Sequence, residues 1–183
     1  MGWRNTPIRY GSLSVSLHWL MLILLVAVYA CMELREFYPK GSDLRAALKT
    51  WHYILGLTVL ALVAVRLFAR WSGPTPRIEP ALPAWQSFGS RLIHLTLYAL
   101  MIGMPIAGWL ILSGEGDPIP FWGLELPPLV GPNESLAEAL EGWHETGAEI
   151  GYWLVGLHTV AGLYHHYVSK DNTLVRMLPG RSR

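Results

Sequence analysis

Four long stretches of the chain contain no Asp, Glu, Lys or Arg, and this pattern constrains the fold more than any other feature. The stretches lie at residues 10–32, 50–65, 92–114 and 150–169. A helix that crosses a bilayer needs about 20 mostly apolar residues, so the first, third and fourth stretches qualify by length. The second qualifies if Arg66, which interrupts it, extends its guanidinium to the lipid headgroups.

Composition favours the same interpretation. Only 15% of the residues are charged, against roughly 25% in a typical soluble protein. The first apolar stretch has no small-residue cleavage site after it, so we expect a retained span and not a signal peptide. The net charge of +1 gives no reason to expect nucleic acid as a partner. We predict an all-α integral membrane protein, a single domain over residues 1–183 in which four transmembrane helices span about 12–34, 49–69, 90–113 and 143–169.

The basic residues predict the orientation of these spans in the membrane. With the N-terminus inside, the inner segments carry Arg4, Arg9, Arg66, Arg70, Arg77, Arg91, Lys170, Arg176, Arg181 and Arg183. The outer segments carry only Arg35, Lys40, Arg45 and Lys49. This bias places both termini in the cytoplasm. We expect the proline-rich segment 72–83 to be extended and cytoplasmic, the loop 114–132 to lie outside, and residues 135–141 to form a short surface helix.

The histidines are the side chains that point to function. All seven lie in or at the ends of the predicted spans, at His18, His52, His94, His144, His158, His165 and His166. Ionisable side chains at membrane depth are costly and usually functional. An interhelical hydrogen bond is an equally good explanation for any one of them, but it does not explain seven in four spans.

The spacing of the histidines predicts two sites at two depths. His144 and His158 are fourteen residues apart, which is about 21 Å along a helix and nearly the same helical face. By depth in the predicted spans, His18 pairs with His158 and His52 pairs with His144. Two imidazoles at each depth are the axial ligands of a b-type haem, so we predict two haems in the bundle.

Other ligands fit these histidines less well. Zinc needs four ligands that converge within about 2 Å of one point, and histidines at two depths do not converge. The chain has one cysteine, Cys31, and no C-x-x-C-H motif, so the haems would be bound non-covalently. Several glycines near the histidines leave room for a flat macrocycle, although close helix packing explains them nearly as well. They are Gly56, Gly147, Gly151, Gly156 and Gly162.

Three histidines remain after pairing, and all lie near the inner ends of the third and fourth spans. They are His94, His165 and His166. His165 follows His158 by seven residues, so it lies on nearly the same face and about 10 Å closer to the cytoplasm. Imidazole exchanges protons near neutral pH, which suits proton uptake beside a quinone. An interfacial histidine that faces headgroups is the alternative, and for His165 we favour the functional interpretation.

Four segments taken together resemble bacterial cytochrome b-561, the superoxide oxidase family, along nearly the whole chain. They are SLHWL at 16–20, MELREFYP at 32–39, WHETGAEIGYWLVGLH at 143–158 and GLYHHYVSKDNTLVRMLP at 162–179. The last of these is the most specific. The resemblance implies a bacterial inner membrane protein with four helices, two b haems and cytoplasmic termini.

The resemblance also implies an activity and a set of site residues. Superoxide would give up its electron on the periplasmic side, and ubiquinone would be reduced on the cytoplasmic side. The resemblance places the metal ligands at His18, His52, His144 and His158, and quinone contacts at His165 and, with less support, at His94. Wider relatives serve as cytochrome subunits of hydrogenases and other dehydrogenases. An electron-transfer subunit is therefore the alternative function.

Superoxide is a small anion, so its approach requires local positive charge. Four basic residues lie in the first outer loop or at the start of the second span, near His52: Arg35, Lys40, Arg45 and Lys49. We predict that some of them, with Lys49 and Arg35 foremost, guide superoxide to the outer haem. Ordinary anchoring at the membrane interface explains each residue alone equally well, and the acidic loop 115–141 would oppose an anion unless it folds away. On this interpretation no partner protein is required.

Overall fold

Four long helices account for most of residues 2–179, the part of the chain that the computed structural model describes. They are α1 (Ser12–Arg35), α2 (Asp43–Trp71), α3 (Ala84–Glu115) and α4 (Glu134–Tyr164). α4 continues into one π-helical turn, His165–Ser169, and a 3-10 turn, Val175–Met177, follows in the tail. Arg181 and Arg183, which the orientation argument used, lie outside the described residues.

Local sequence signals set the ends of these helices. The side chains of Ser42 and Asn133 cap α2 and α4 by accepting backbone N–H groups, at 3.4 Å and 3.1 Å. α3 begins after Pro83 and ends at Gly116, whose φ of 76° is one that glycine adopts without strain. Pro105 lies inside α3, which is more readily tolerated in a membrane helix than in a soluble one.

Three of the described helices, α1, α2 and α3, are long and apolar enough to cross a membrane. α4 has 31 residues, but five glutamates between positions 134 and 149 make its first half too polar by the same measure. Its apolar second half continues past the end of the α-helix into the π turn. A fourth span formed by α4 therefore stays a prediction.

Helices that are neighbours in sequence pack side by side, α1 on α2, α2 on α3 and α3 on α4. Met21 of α1 is buried with Val59 and Val63 of α2 in one apolar cluster.

Two tyrosine hydroxyl groups form hydrogen bonds between α1 and α4. The hydroxyl of Tyr152 donates to the carboxylate of Glu33 at 2.7 Å, and the hydroxyl of Tyr29 donates to a backbone carbonyl of α4 at 2.9 Å.

The connection between α3 and α4 contains an antiparallel β-hairpin, so the all-α prediction is wrong in this detail. Its strands are β1 (Ile119–Phe121) and β2 (Leu124–Leu126). The two residues between the strands, Trp122 and Gly123, have φ of 50° and 85°, which matches a type I′ hairpin turn. Ile119 is buried between α2 and α3, and the indole of Trp122 donates to Thr58 of α2 at 2.9 Å.

The short surface helix predicted at 135–141 is also not a separate element. These residues form the first two turns of α4, which runs on without interruption. The reason is local, since no proline or turn follows Glu141, and the one glycine there, Gly142, is accommodated inside the helix.

The bundle has two distinct ends. The hairpin end holds the α1–α2 turn, the hairpin and the start of α4, and the terminal end holds the N-terminal segment, residues 72–83 and the tail after α4. At the terminal end, segment 72–83 forms neither helix nor strand, and hydrogen bonds tie it to the tail. The backbone N–H of Asn172 donates to the carbonyl of Glu79 at 3.1 Å, and the Asn172 side chain accepts from the Glu79 N–H at 3.0 Å.

Candidate functional site

His52 of α2 and His144 of α4 face each other at the hairpin end. Their ring centroids are 6.1 Å apart and their planes are inclined at 68°. Two imidazole nitrogens that bind one metal at about 2 Å each, plus the ring radii, place the ring centroids about 6 Å apart. Nδ1 of His52 lies 3.1 Å from the carbonyl of Val28. A hydrogen bond from Nδ1–H to that carbonyl leaves the Nε2 lone pair free, as in most metal-binding histidines.

His18 of α1 and His158 of α4 form a second pair, closer to the terminal end. Their ring centroids are also 6.1 Å apart, with planes at 68°. The four histidines that the sequence paired by depth are therefore brought together in the same two pairs. The two pairs have matching geometry although their partners come from different helices.

An apolar cavity of about 380 Å³ lies beside the first pair. Both His52 and His144 line it, and Nδ1 of His144 is buried without a hydrogen-bond partner among the described residues. Gly56 also lines the cavity, and a Cβ atom added there would meet no atom within 4 Å. An apolar cavity with two imidazoles and an open glycine surface fits a flat prosthetic group.

Two of the glycines singled out by sequence line the cavity and also serve helix packing. A Cβ at Gly147 would lie 2.5 Å from the sulfur of Met104, and a Cβ at Gly151 would collide with the hydroxyl of Tyr29. These glycines let α4 approach α3 and α1 closely, which is the alternative that the sequence left open. Gly156 and Gly162 have no neighbour within 4 Å of an added Cβ.

The second pair has a third imidazole beside it. The ring of His94 lies 5.3 Å from that of His158, and its Nδ1 lies 2.6 Å from the carbonyl of Ser90. This separation is shorter than the 6.1 Å shared by the two pairs. The spacing therefore favours His18 over His94 as the partner of His158.

The side chain of Arg66, which the sequence analysis directs to the headgroups, makes its contacts within the bundle. Its guanidinium faces α1 and α3, where it donates to the hydroxyl of Tyr98 at 3.2 Å and contacts Nδ1 of His18 at 3.2 Å. A guanidinium only donates, so Nδ1 of His18 accepts in this contact. The proton of a neutral His18 is then on Nε2, and metal ligation through Nε2 requires that proton to leave or the contact to shift.

The basic residues near the first pair differ in whether a carboxylate neutralises their charge. Arg35 and Arg45 both contact one carboxylate oxygen of Glu36, at 3.0 Å and 2.8 Å, and these hydrogen bonds hold the pKa of Glu36 below its usual range. Lys49 is exposed, and its ammonium lies 5.7 Å from the ring centre of Tyr53, which lines the cavity. Lys49 therefore lies beside a residue of the cavity wall and, unlike Arg35, has no carboxylate at salt-bridge distance among the described residues.

His165 has a partner that the sequence did not reveal. Its Nδ1 lies 2.5 Å from a carboxylate oxygen of Asp171, whose side chain is buried. His166 is next to it in the chain, but its ring packs on Tyr167 at 4.8 Å. Among the described residues, His165 is thus the histidine that is paired with a carboxylate.

Comparison with known proteins identifies the family. The sequence profile of prokaryotic cytochrome b561 matches residues 9–180. The chain belongs to the prokaryotic cytochrome b561 family. It is 38% identical to cytochrome b561 homolog 1 of Escherichia coli (strain K12), covering 94% of this chain and 98% of that protein. It is 36% identical to the probable superoxide oxidase CybB of Yersinia pestis, covering 93% and 96%.

Cytochrome b561 homolog 2 of Escherichia coli (strain K12) is 30% identical, over 97% of this chain and 95% of that protein. The resemblance inferred from sequence motifs is therefore confirmed. As a cytochrome b561, the chain is a bacterial membrane cytochrome that binds b-type haem. The paired imidazoles and the cavity are the features of this cytochrome b561 that fit such a group.

Filling the cavity should separate haem binding from folding. We expect Gly56→Leu to lower the haem bound at the His52 and His144 pair, because the added side chain enters open space that a macrocycle would occupy. Haem absorbance per protein should fall by about half, while detergent-solubilised protein stays monodisperse. Gly103→Leu of α3, which is also open but is exposed and outside the cavity lining, is the matched control and should keep full haem content. Equal haem loss in both variants would contradict the assignment of the cavity.

Proposed function

We propose that this cytochrome b561 is a superoxide:ubiquinone oxidoreductase of the bacterial inner membrane. It holds two non-covalent b haems, one between His52 and His144 and one between His18 and His158. α4 is its fourth span, and both termini are cytoplasmic. In this orientation the hairpin end faces the periplasm and the terminal end faces the cytoplasm.

One observation carries this proposal: two imidazole pairs of the same 6.1 Å spacing lie at two depths of one bundle. A single pair would support a haem protein of any kind, whereas two pairs along α4 support electron transfer between the two membrane faces. The direction is supported by a relative named a probable superoxide oxidase. The acidic first half of α4 is compatible with a span whose polar start lies at the periplasmic surface.

The overall reaction fixes what the protein must supply on each side. Two superoxide ions lose one electron each and become oxygen, and one ubiquinone gains two electrons and two protons and becomes ubiquinol. When bound, the two haems supply reversible one-electron transfer between the two imidazole pairs. The chain's own residues attract the anion at one end, and position the quinone and deliver protons at the other.

At the periplasmic end, Lys49 is the residue best placed to attract superoxide. It is exposed and adjacent to a tyrosine of the cavity wall, and among residues 2–179 no carboxylate lies at salt-bridge distance from it. Arg35 contributes less, because its charge is shared with Glu36. Glu115 and Asp117 also lie near enough to attract Lys49, so the net field at this point is weaker than that of a lone cation.

Neutralising Lys49 should therefore slow haem reduction by superoxide more than neutralising Arg35. We expect Lys49→Gln to reduce the second-order rate of haem reduction by superoxide severalfold at low ionic strength and to flatten its dependence on salt. In the double variant with Arg35→Gln, this rate should be slightly lower still. Lys40→Gln, an exposed basic residue of the same loop, is the control. Rapid mixing at several salt concentrations measures the rates, and an unchanged rate in the double variant would remove both residues from the approach path.

At the cytoplasmic end, His165 is the residue that would hand protons to the quinone, and His94 is the second candidate for quinone contact. His165 lies seven residues beyond His158 of the second pair. It therefore lies between that pair and the cytoplasm. No partner protein is required for this arrangement, since both half-reactions use residues of one chain.

Turnover by the isolated chain tests this function. The purified protein in lipid vesicles that contain ubiquinone should form one ubiquinol for every two superoxide ions consumed. The variant His144→Ala should lose this activity. If the protein binds haem but oxidises superoxide only when a dehydrogenase is added, it is an electron-transfer subunit. The names of two relatives, which specify a cytochrome b561 and no reaction, are compatible with that alternative.

A further inference from the structure

The carboxylate of Asp171 is the most deeply buried charged group at the terminal end. Its side chain is 1% exposed, and that of His165 is 14% exposed. One carboxylate oxygen lies 2.5 Å from Nδ1 of His165, and the other accepts the backbone N–H of Thr173 at 2.8 Å. Both oxygens of Asp171 are therefore engaged, and His165 is fixed against one of them.

This pairing arises from a local backbone feature. Asp171 is six residues after His165, a spacing that does not place two side chains together on an α-helix. The π turn His165–Ser169 and the left-handed conformation of Lys170, with φ of 55°, reverse the chain at this point. The backbone N–H of Asp171 then donates to the carbonyl of His165 at 3.1 Å. The chain reversal serves to bring this carboxylate to this imidazole.

The contact defines the protonation pattern of His165. Burial raises the pKa of Asp171, but the hydrogen bonds from Thr173 and His165 outweigh burial and hold that pKa below its usual value. The carboxylate is therefore ionised at neutral pH and can only accept. Nδ1 of His165 must carry a proton, so Nε2 is the nitrogen available to another molecule.

Other charged and titratable groups surround the pair of Asp171 and His165. Arg176, in the 3-10 turn of the tail, is attracted to Asp171, and its guanidinium lies 5.6 Å from the ring centre of Tyr10 in the N-terminal segment. The ring of Tyr164 lies 6.0 Å from that of His165. Glu79 meets the tail through backbone and side-chain bonds to Asn172. Asp171 is the carboxylate in direct contact with the imidazole.

We propose that Asp171 is a positioning residue for quinone reduction, which holds His165 with Nε2 directed to the quinone and keeps it ready to donate a proton. This inference rests on the proposed function and adds a residue to it. For each proton delivered, the Nε2–H bond of His165 breaks and an O–H bond forms on the quinone, while superoxide supplies the electron. The cytoplasm then returns the proton to Nε2, and Nδ1 stays bonded to Asp171 throughout.

The test is the pH profile of the quinone half-reaction. Chemically reduced holoprotein is mixed with a short-chain ubiquinone, and haem reoxidation is followed from acidic to alkaline pH. In Asp171→Asn the rate should fall about tenfold across this pH range, because the amide can donate as well as accept and so no longer holds the proton of His165 on Nδ1. Asp171→Glu, which keeps the charge, should recover much of the profile.

Two further variants separate positioning from folding. Asn172→Ala removes the two side-chain hydrogen bonds of Asn172 to segment 72–83 but leaves the His165 contact, so its pH profile should match the wild type. Adding Asp171→Asn to His165→Gln should not lower the rate of haem reoxidation further, because the two residues act as one unit. A wild-type rate in Asp171→Asn, or the same loss of rate in Asn172→Ala, would overturn the proposal. Wild-type haem that quinone does not reoxidise would overturn the proposed function itself, whatever Asp171 does.

If Asp171→Asn does not fold, Asp171→Glu still tests the proposal. Its longer side chain displaces the carboxylate, so a smaller loss of rate is expected, and a wild-type rate would overturn the proposal. Nitrogen-15 NMR of His165 offers a readout that needs no quinone. The neutral wild-type ring should carry its proton on Nδ1, and a proton on Nε2 would contradict the arrangement.

Discussion

His52→Ala is expected to remove one of two haems and to abolish reduction by superoxide. The imidazole of His52 is one of the two that face the cavity at the hairpin end, and no other histidine of the described residues replaces it there. A b-type haem with one axial imidazole lost binds weakly, so haem absorbance per protein should fall by about half. The remaining haem should keep its bis-imidazole spectrum, because the His18 and His158 pair is untouched.

The same pair provides the internal control for this result. His144→Ala should give the same loss, and the double variant should be no worse than either single variant, since both imidazoles serve one site. His166→Ala removes a histidine whose ring packs on Tyr167 and should keep both haems. Full haem content in His52→Ala, or loss of both haems from every variant including His166→Ala, would contradict the assignment of two independent pairs.

His165→Gln is expected to give the opposite pattern, with both haems retained and quinone reduction slowed. A positioned acid or base contributes about a hundredfold or more to the rate of a proton transfer. Ubiquinone should therefore reoxidise the haems about a hundredfold more slowly in this variant. Reduction by superoxide should proceed at the wild-type rate, because His165 is at the other end of the bundle.

The adjacent histidine makes the comparison a matched one. His166→Gln changes the same residue type one position along the chain, and its expected quinone rate is that of the wild type. Stopped-flow absorbance separates the two half-reactions in both variants. A loss of haem bands in His165→Gln would place His165 among the haem ligands, and an unchanged quinone rate would remove it from proton delivery.

Much of this site could be predicted from the sequence because its histidines lie on long helices. A run of uncharged residues specifies a membrane helix, and along such a helix the depth of each side chain follows from its position. His144 and His158 could therefore be placed at two depths, and His18 and His52 could be matched to them, before any contact was known.

The parts that sequence could not predict depend on backbone irregularity and on side-chain direction. Asp171 meets His165 through a π turn and a left-handed lysine, neither of which has a periodic signature. The hairpin has strands of three residues, too short for an alternating pattern. Arg66 could point to headgroups or into the bundle, and the acceptors at Tyr98 and Ser14 that orient it come from distant parts of the chain.

The absorbance spectrum of the purified protein, taken before and after superoxide and with and without a quinone analogue, tests the central claim most directly. We predict bis-imidazole b-type bands that superoxide reduces and that the quinone analogue then reoxidises. Haem bands that superoxide leaves unchanged would contradict the proposed direction of electron flow and favour an electron-transfer subunit. A protein without haem bands would contradict the assignment of the two imidazole pairs.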